Sequence, residues 1–203
     1  YGAYLYEQDK DYLAAHYPNQ TYQLDSYLLF LEKAVRDLLK AGGHYGMIIP
    51  NPWLTNLLQD SMRRFVMDKA RVSEIVHFKF PVFPKVVVDT EIVLLQKAKP
   101  DSWEAKVTVA ETLDAFNSAK PCKELRHLQH QQQKWRDLSG GVINIFTSES
   151  EEALAAKCRK IGQRLESYCD INVGIKPYQV GKGTPPQTRR MVEERPCDSD
   201  RRA

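Results

Sequence analysis

Apolar residues recur every three or four positions in two stretches of the chain, which predicts two amphipathic helices. The first helix follows Asp25, a favourable N-cap residue, and ends near Leu39 ahead of a pair of glycines. The second runs from about Trp53 to Lys69, behind a proline that suits a first helical turn. One short helical turn is also predicted at residues 11–16.

Continuous apolar runs predict strands between and after these helices, because strands buried on both faces of a parallel sheet lose their alternation. Residues 45–50, 72–78 and 91–97 form such runs. The order helix, strand, helix, strand, loop, strand predicts the later half of a three-layer α/β sheet. The short, proline-punctuated loop at residues 80–84 predicts a hairpin of the last two strands and therefore an antiparallel edge.

The periodicity weakens in the second half of the chain. Residues 106–110 and 142–146 predict short strands, whereas residues 119–137 are rich in Gln and His and predict a surface helix or a mobile segment. A further helix is predicted from a serine cap at position 148 or 150 to about residue 168. Its apolar face comprises Ala153, Leu154, Cys158, Ile161 and Leu165.

The composition is that of an ordinary globular protein, with 203 residues of which 42% are hydrophobic and 27% charged. The 29 Lys and Arg against 26 Asp and Glu give a net charge of +3, which excludes a histone-like binder but not a local basic surface. No apolar run approaches the roughly 20 residues of a spanning helix, so no membrane segment is predicted.

The cysteines and histidines predict no metal site and no disulfide. Cys122, Cys158, Cys169 and Cys197 form no C-x-x-C pair, and a reducing, cytoplasmic location is expected. Cys158 and Cys169 are predicted to be buried. The histidines are scattered, and His127 and His130 are expected on a solvated helix face. Because the chain begins at a tyrosine and ends in a polar run, we expect a piece of a longer polypeptide.

Four segments, in this order and spacing, resemble the adenine-N6 DNA methyltransferases of type II restriction-modification systems that fuse methylase and specificity domains. The helix 25–43 and the strand and turn 46–54 are similar to elements that follow the family's catalytic loop. The loop and strand at 80–95 resemble its base-contacting loop and final hairpin strand. Residues 173–187 resemble the opening of a TaqI-like specificity domain.

The resemblance implies an α/β fold, namely the C-terminal half of a class I (Rossmann-like) methyltransferase sheet with an antiparallel terminal hairpin. An α/β connector and the start of a second domain would follow. The implied division assigns residues 1–100 to the catalytic domain, 101–168 to the connector and 169–203 to the target-recognition domain.

Two aromatic residues are the candidates for holding the target base. An enzyme that methylates adenine must swing the base out of the duplex, and aromatic faces then hold it by stacking. The family's catalytic loop reads Asn-Pro-Pro-Tyr, and the resemblance implies that Tyr1 supplies its tyrosine, as a catalytic and stacking residue. Phe83 matches the position of the second aromatic face. From the residues alone, a terminal Tyr1 without a role and a core-filling Phe83 remain alternatives. The similar run at residues 50–53 fits a helix start better.

The resemblance also implies a cofactor and a partner. S-adenosylmethionine would serve the parent protein, but the glycine-rich turn that binds it in the family, and hence its main pocket, is missing from these residues. Double-stranded DNA would be the partner, because basic and polar side chains contact phosphates and base edges. The candidate DNA-binding residues are Lys176, Tyr178, Lys182, Gln187, Arg189 and Arg190. Neighbouring carboxylates nearly balance their charge, so a solvated tail is the alternative.

The function predicted for the parent is methyl transfer from S-adenosylmethionine to N6 of adenine in a specific DNA sequence. The isolated chain is expected to be inactive. A non-catalytic DNA-binding or specificity module on the same scaffold is the alternative, and an unrelated α/β enzyme is a third hypothesis.

Overall fold

The computed structural model describes residues 5–21, 24–83, 88–99, 102–118 and 124–169. The chain divides into two compact units, Tyr1–Ser150 and Glu151–Ala203. The division falls within the first turn of one helix, which belongs mainly to the second unit. No helix among the described residues is both long and apolar enough to cross a membrane.

Six α-helices and several tighter turns occur in the described residues. The helices are α1 (Glu7–His16), α2 (Ser26–Lys33), α3 (Asp60–Lys69), α4 (Leu113–Asn117), α5 (Gln132–Asp137) and α6 (Glu149–Ile161). A π-helical turn continues α2 over Ala34–Leu38, and 3₁₀ turns occur at Asn51–Leu54, Leu57–Gln59, Ser139–Gly141 and Leu165–Ser167. The first predicted amphipathic helix is confirmed, and the predicted turn at 11–16 is part of α1. The second is confirmed only over Asp60–Lys69, because two 3₁₀ turns occupy most of its predicted beginning.

A mixed sheet of five described strands forms the centre of the first unit. The strands are β1 (His44–Pro50), β2 (Arg71–Phe78), β3 (Thr90–Gln96), β4 (Glu104–Ala110) and β5 (Leu125–Gln131). Their order is β1-β3-β2-β4-β5. The β2–β4 pair is parallel, and the other three pairs are antiparallel. Glu91 of β3 lies opposite Ile49 of β1 on one side and His77 of β2 on the other.

The predicted α/β class and the antiparallel pairing of β2 with β3 are confirmed, but the predicted edge is wrong. β3 lies between β1 and β2, because the crossover through α3 leaves a one-strand gap between these two strands that β3 fills. β1 is also not buried on both faces of a parallel sheet. Its partner β3 is antiparallel, Ile49 is buried, and His44 and Gly46 are exposed.

Two predictions for the second half of the chain need correction, and one is confirmed. Residues 125–131 form strand β5 rather than a surface helix, because an edge strand tolerates polar side chains on its exposed positions. Residues 142–146 form no strand, although Ile143 and Ile145 are buried and the Ile143 N–H donates to the Leu54 carbonyl at 2.9 Å. The strand predicted at 106–110 is confirmed as β4.

Helix α6 is confirmed, but it ends at Ile161, and the apolar side chains of its predicted face are exposed. Leu154 is 62% exposed and Ile161 is 86% exposed. Cys158 and Cys169 are free, exposed thiols, so the prediction that they are buried was wrong.

The sheet continues across residue 100, where the sequence analysis ended the catalytic domain, because β4 pairs with β2. The first compact unit extends to Ser150. The residues assigned to the target-recognition domain lie outside the described part of the chain, and that assignment stays a prediction.

Each face of the sheet has its own apolar cluster. The larger cluster lies between the sheet and helices α2 and α3 and includes Leu31, Trp53, Met62 and Ile75. The smaller cluster is on the opposite face, since Val76 alternates with Ile75 along β2. We refer to them as the helix-side cluster and the opposite-face cluster.

One buried amide joins the end of α3 to the sheet. Gln132 is buried, and its Oε1 accepts the Val72 N–H at 2.8 Å. Its Nε2 donates to the Ala70 carbonyl at 2.9 Å and to the Met67 carbonyl at 3.2 Å. The side chain therefore satisfies three backbone groups where α3 turns into β2.

Replacing Gln132 with leucine should destabilise the fold, because each buried polar group left unpaired costs about 1–3 kcal/mol. We expect Gln132→Leu to lower the free energy of unfolding by at least about 2 kcal/mol in urea titrations. The matched control is Gln133→Leu, because the neighbouring Gln133 is exposed and bonds Asp137 in its own helix. Equal effects of the two substitutions would contradict this role of Gln132.

Candidate functional site

At one edge of the sheet, the carboxyl ends of some strands lie beside the amino ends of others. The carboxyl ends of β1, β2 and β4 lie there together with the amino ends of β3 and β5. The Asn51 N–H, just after β1, donates to the Asp89 carbonyl just before β3 at 3.0 Å. In α/β sheets, ligands bind in the crevice outside the carboxyl ends of the parallel strands. This edge is therefore the candidate site, and we call it the carboxyl edge.

Phe83 lies at the carboxyl edge, in the loop that follows β2. Its side chain is half-buried. Phe80 and Val82 of the same loop pack against the opposite-face cluster, but in the described part of the chain Phe83 is a member of neither cluster. The ring is therefore placed beside the edge without being used to fill the described core. This weakens the alternative in which Phe83 is a core residue.

Beneath the carboxyl edge lies a buried polar group built from three elements. The indole N–H of Trp53 donates to Glu91 Oε1 at 2.8 Å, and both side chains are fully buried. His77 Nδ1 lies 4.0 Å from Glu91 Oε2, which is too long for a hydrogen bond. The His77 ring meets the Phe146 ring edge-on, with centroids 4.9 Å apart. The group thus joins β2, β3 and the turn after β1.

Burial sets the charge of this group. It raises the pKa of the Glu91 carboxyl well above its usual range, and the hydrogen bond from Trp53 offsets this only in part. Burial also lowers the pKa of His77. Both directions favour the uncharged form of each group. Both side chains are buried, so neither is accessible to a substrate.

A buried arginine fixes the turn that carries Trp53. Arg63 of α3 is fully buried, and its Nη1 donates to the carbonyls of Trp53 and Asn56, each at 2.7 Å. Its Nε and Nη2 donate to the Gly140 carbonyl at 3.0 and 2.8 Å. Burial lowers the pKa of this guanidinium. Backbone carbonyls therefore supply its hydrogen bonds in place of water.

The structure places one of the residues predicted for the site and leaves the others outside the described part of the chain. Phe83 is at the carboxyl edge. Tyr1 and the six candidate DNA-binding residues between 176 and 190 lie outside the described residues. The run at 50–53 begins the separate 3₁₀ turn Asn51–Leu54, with Pro52 in its first turn, rather than the helix α3 that was predicted to start there.

Glu91, His77 and Arg63 were not predicted as site residues from the sequence. The available signal was a charged or titratable residue within an otherwise apolar strand or helix face, since such residues are rarely buried without a partner. His127 and His130 were expected on a solvated helix face, but both lie on strand β5. His127 is exposed as expected, whereas His130 is buried and stacks on Trp135 with ring centroids 5.1 Å apart.

Neither a metal cluster nor a cofactor turn is formed by the described residues. Within them, no group of three or more His, Cys, Asp or Glu side chains is placed to hold a metal ion. No glycine-rich turn leads from a described strand into a helix: β1, β4 and β5 pass into helical turns through Asn51, Thr112 and Gln132. The described residues therefore do not fit the phosphate- and nucleoside-binding turn of a Rossmann-like sheet.

Comparison with solved structures identifies the class of fold. The type IIG restriction endonuclease BpuSI matches with a TM-score of 0.54 at 15% identity, over 84% of this chain and 22% of that chain. The M protein of the type I restriction enzyme EcoKI matches at 14% identity with a TM-score of 0.46, over 66% of this chain and 40% of that one. A type I methyltransferase subunit from Streptococcus thermophilus matches at 11% identity and 0.46, over 65% and 33%. This chain spans about a fifth of the length of BpuSI and shares its fold.

A family model matches part of the sequence. Residues 3–83 match the family described as Eco57I restriction-modification methylase. A comparison with curated proteins finds no match. Over these residues the match agrees with the resemblance to restriction-modification methyltransferases stated above.

The protonated state of Glu91 predicts how stability depends on pH. The unfolded chain ionises this carboxyl above about pH 4.3, whereas the folded chain keeps it protonated to a higher pH. Stability is therefore lost as the pH rises between the two pKa values, by up to about 1.4 kcal/mol per pH unit. Glu91→Gln keeps an acceptor for Trp53 and removes this loss.

Urea unfolding of the wild type and Glu91→Gln between pH 5 and 9 measures the effect. We expect the free energy of unfolding of Glu91→Gln to rise relative to that of the wild type as the pH rises. For the exposed control Glu104→Gln, the difference from the wild type should not change with pH. A difference that does not change with pH would mean that Glu91 is ionised in the folded chain.

Proposed function

We propose that this chain is part of an adenine-N6 DNA methyltransferase from a restriction-modification system and forms the later half of its catalytic sheet. The parent protein transfers a methyl group from S-adenosylmethionine to N6 of adenine within a specific DNA sequence. The family match over residues 3–83 supports the methylase class. The choice of adenine N6 follows from the resemblance of the loop at 80–95 to the base-contacting loop of those enzymes.

A single observation carries the proposal: an aromatic ring that the described core does not use stands at the carboxyl edge. Phe83 is half-buried and lies in the loop after β2, next to Val82, which packs against the opposite-face cluster. A flipped base needs such a face, because stacking on an aromatic ring is worth about 1–3 kcal/mol per base. Phe83 is therefore assigned to one face of the target adenine.

The contribution of this part of the chain to catalysis is positioning. Holding the adenine amino group at the correct distance and angle from the methyl donor removes most of the entropic barrier to an in-line transfer. Tyr1 is proposed as the second face of the base. S-adenosylmethionine supplies the methyl group when it is bound. The described residues do not fit the glycine-rich turn that binds this cofactor.

Recognition of the DNA sequence is assigned to the end of the chain. We place the start of the target-recognition domain at residues 169–203. Its proposed contacts to phosphates and base edges come from Lys176, Tyr178, Lys182, Gln187, Arg189 and Arg190. The proposed location of the protein is the cytoplasm, where its DNA substrate is found in prokaryotes.

In the full-length protein, Phe83→Ala should slow methylation selectively. Loss of one stacking face corresponds to about a 5- to 150-fold fall in the rate of methyl transfer to DNA adenine. Phe83→Trp should retain most of the rate, since it keeps an aromatic face. The matched control is Phe30→Ala, because Phe30 is 63% exposed and lies on α2.

The readouts are methyl transfer from labelled S-adenosylmethionine, the base modified, and the free energy of unfolding. If Phe83→Ala unfolds the protein without a selective loss of rate, Phe83 fills the core and the assignment fails. If the full-length protein binds DNA and transfers no methyl group, the chain belongs to a non-catalytic DNA-binding module on the same scaffold.

A further inference from the structure

The loop that carries Phe83 is anchored by residues that follow β4. We call residues 79–83 the Phe83 loop. Its first residue is fixed twice: the Lys79 N–H donates to the Ala110 carbonyl at 3.0 Å, and Lys79 Nζ bonds Glu111 Oε1 at 2.8 Å. The exposed ion pair contributes little by itself, but the backbone bond extends the β2–β4 pairing by one residue. The loop therefore leaves the sheet from a fixed point.

A row of three aromatic rings holds the next part of the loop. Phe78 is buried at the end of β2 and meets the Phe80 ring with centroids 5.4 Å apart. Phe78 also meets the Phe116 ring edge-on, with centroids 5.0 Å apart and an interplanar angle of 82°. Edge-to-face pairs of this kind are worth about 0.5–1.5 kcal/mol beyond the area they bury. Phe116 of α4 thus supports Phe78, and Phe78 supports the loop.

Helix α4 is short, yet it is tied to its surroundings at its start. The Thr112 hydroxyl oxygen accepts the Ala115 N–H at 3.2 Å as an N-cap, and the hydroxyl donates to Glu124 Oε2 at 2.8 Å. The Glu111 N–H donates to the Glu124 carbonyl at 2.9 Å. These bonds connect α4 to the amino end of β5. A five-residue helix with no such ties would not hold Phe116 in one place.

We propose that Phe116 is a positioning residue for the base-binding site: it fixes the Phe83 loop through Phe78 so that Phe83 meets the flipped adenine. The proposal rests on the function proposed above. Phe116 lies beyond the matched stretch 3–83, so this support comes from a part of the chain that the family match does not include. The ring is 38% exposed, and a direct contact of Phe116 with DNA is the competing explanation.

A double-mutant cycle in the full-length protein tests the proposal. The four proteins are the wild type, Phe83→Ala, Phe116→Ala and the double variant, assayed for methyl transfer to a DNA duplex. 2-Aminopurine at the target position reports base extrusion by its fluorescence. We expect Phe116→Ala to lower kcat about 3- to 10-fold, with KM for DNA changed less than about 2-fold. The extrusion signal should fall with kcat.

The cycle gives its decisive result in the Phe83→Ala background. A residue that acts through Phe83 has nothing left to position there, so the double variant should match Phe83→Ala within about 2-fold. Phe116→Tyr should restore the rate. The matched control is Leu113→Ala, because Leu113 is on the same helix, 56% exposed, and belongs to neither described cluster.

Each other outcome overturns a specific statement. If the two effects multiply in the double variant, Phe116 acts independently of Phe83 and the positioning role fails. If Leu113→Ala matches Phe116→Ala, the loss comes from general damage to α4. If Phe83→Ala alone leaves methylation unchanged, the proposed function of Phe83 has failed instead.

Discussion

The position of β3 between β1 and β2 is the constraint on which the rest of the described sheet depends. β1 and β2 run in the same direction, and the antiparallel β3 supplies hydrogen bonds to both. This pairing places Glu91 beside His77 and beneath Trp53, with the loops after β1 and β2 at one edge. If β3 slipped by one residue, Glu91 would move to the opposite face of the sheet, because side chains alternate along a strand.

Local periodicity was sufficient to predict a helix or strand that has one buried side or is buried throughout. Helices α2 and α3 and strands β1 to β4 were predictable for that reason, whereas β5 was not. Its polar sequence, Leu-Arg-His-Leu-Gln-His-Gln, has weak alternation because an edge strand packs against only one neighbour. The place of β3 in the sheet was also unpredictable from local pattern, because strand order depends on pairing between segments distant in sequence.

The same limit applies to the candidate site: residues within one continuous segment were predictable, and contacts between distant segments were not. Phe83 was found through a resemblance of short motifs, since its loop is continuous in sequence. The Glu91–His77 pair was not predicted, because its members lie on different strands. The pKa of each group is shifted toward its uncharged form by burial, which the local sequence does not show. The support of the Phe83 loop by Phe116 likewise joins residues separated by the whole of β3 and β4.

Arg63 bonds the carbonyl of Gly140, which lies 77 positions later in the chain. At about 5–20 residues per second, Arg63 is synthesised about 4–15 seconds before Gly140. Until then two of its donors have only water or a chaperone as a partner. The helix-side core therefore closes late on the ribosome, and a pause in translation between these two positions would prolong the exposure of its apolar surface.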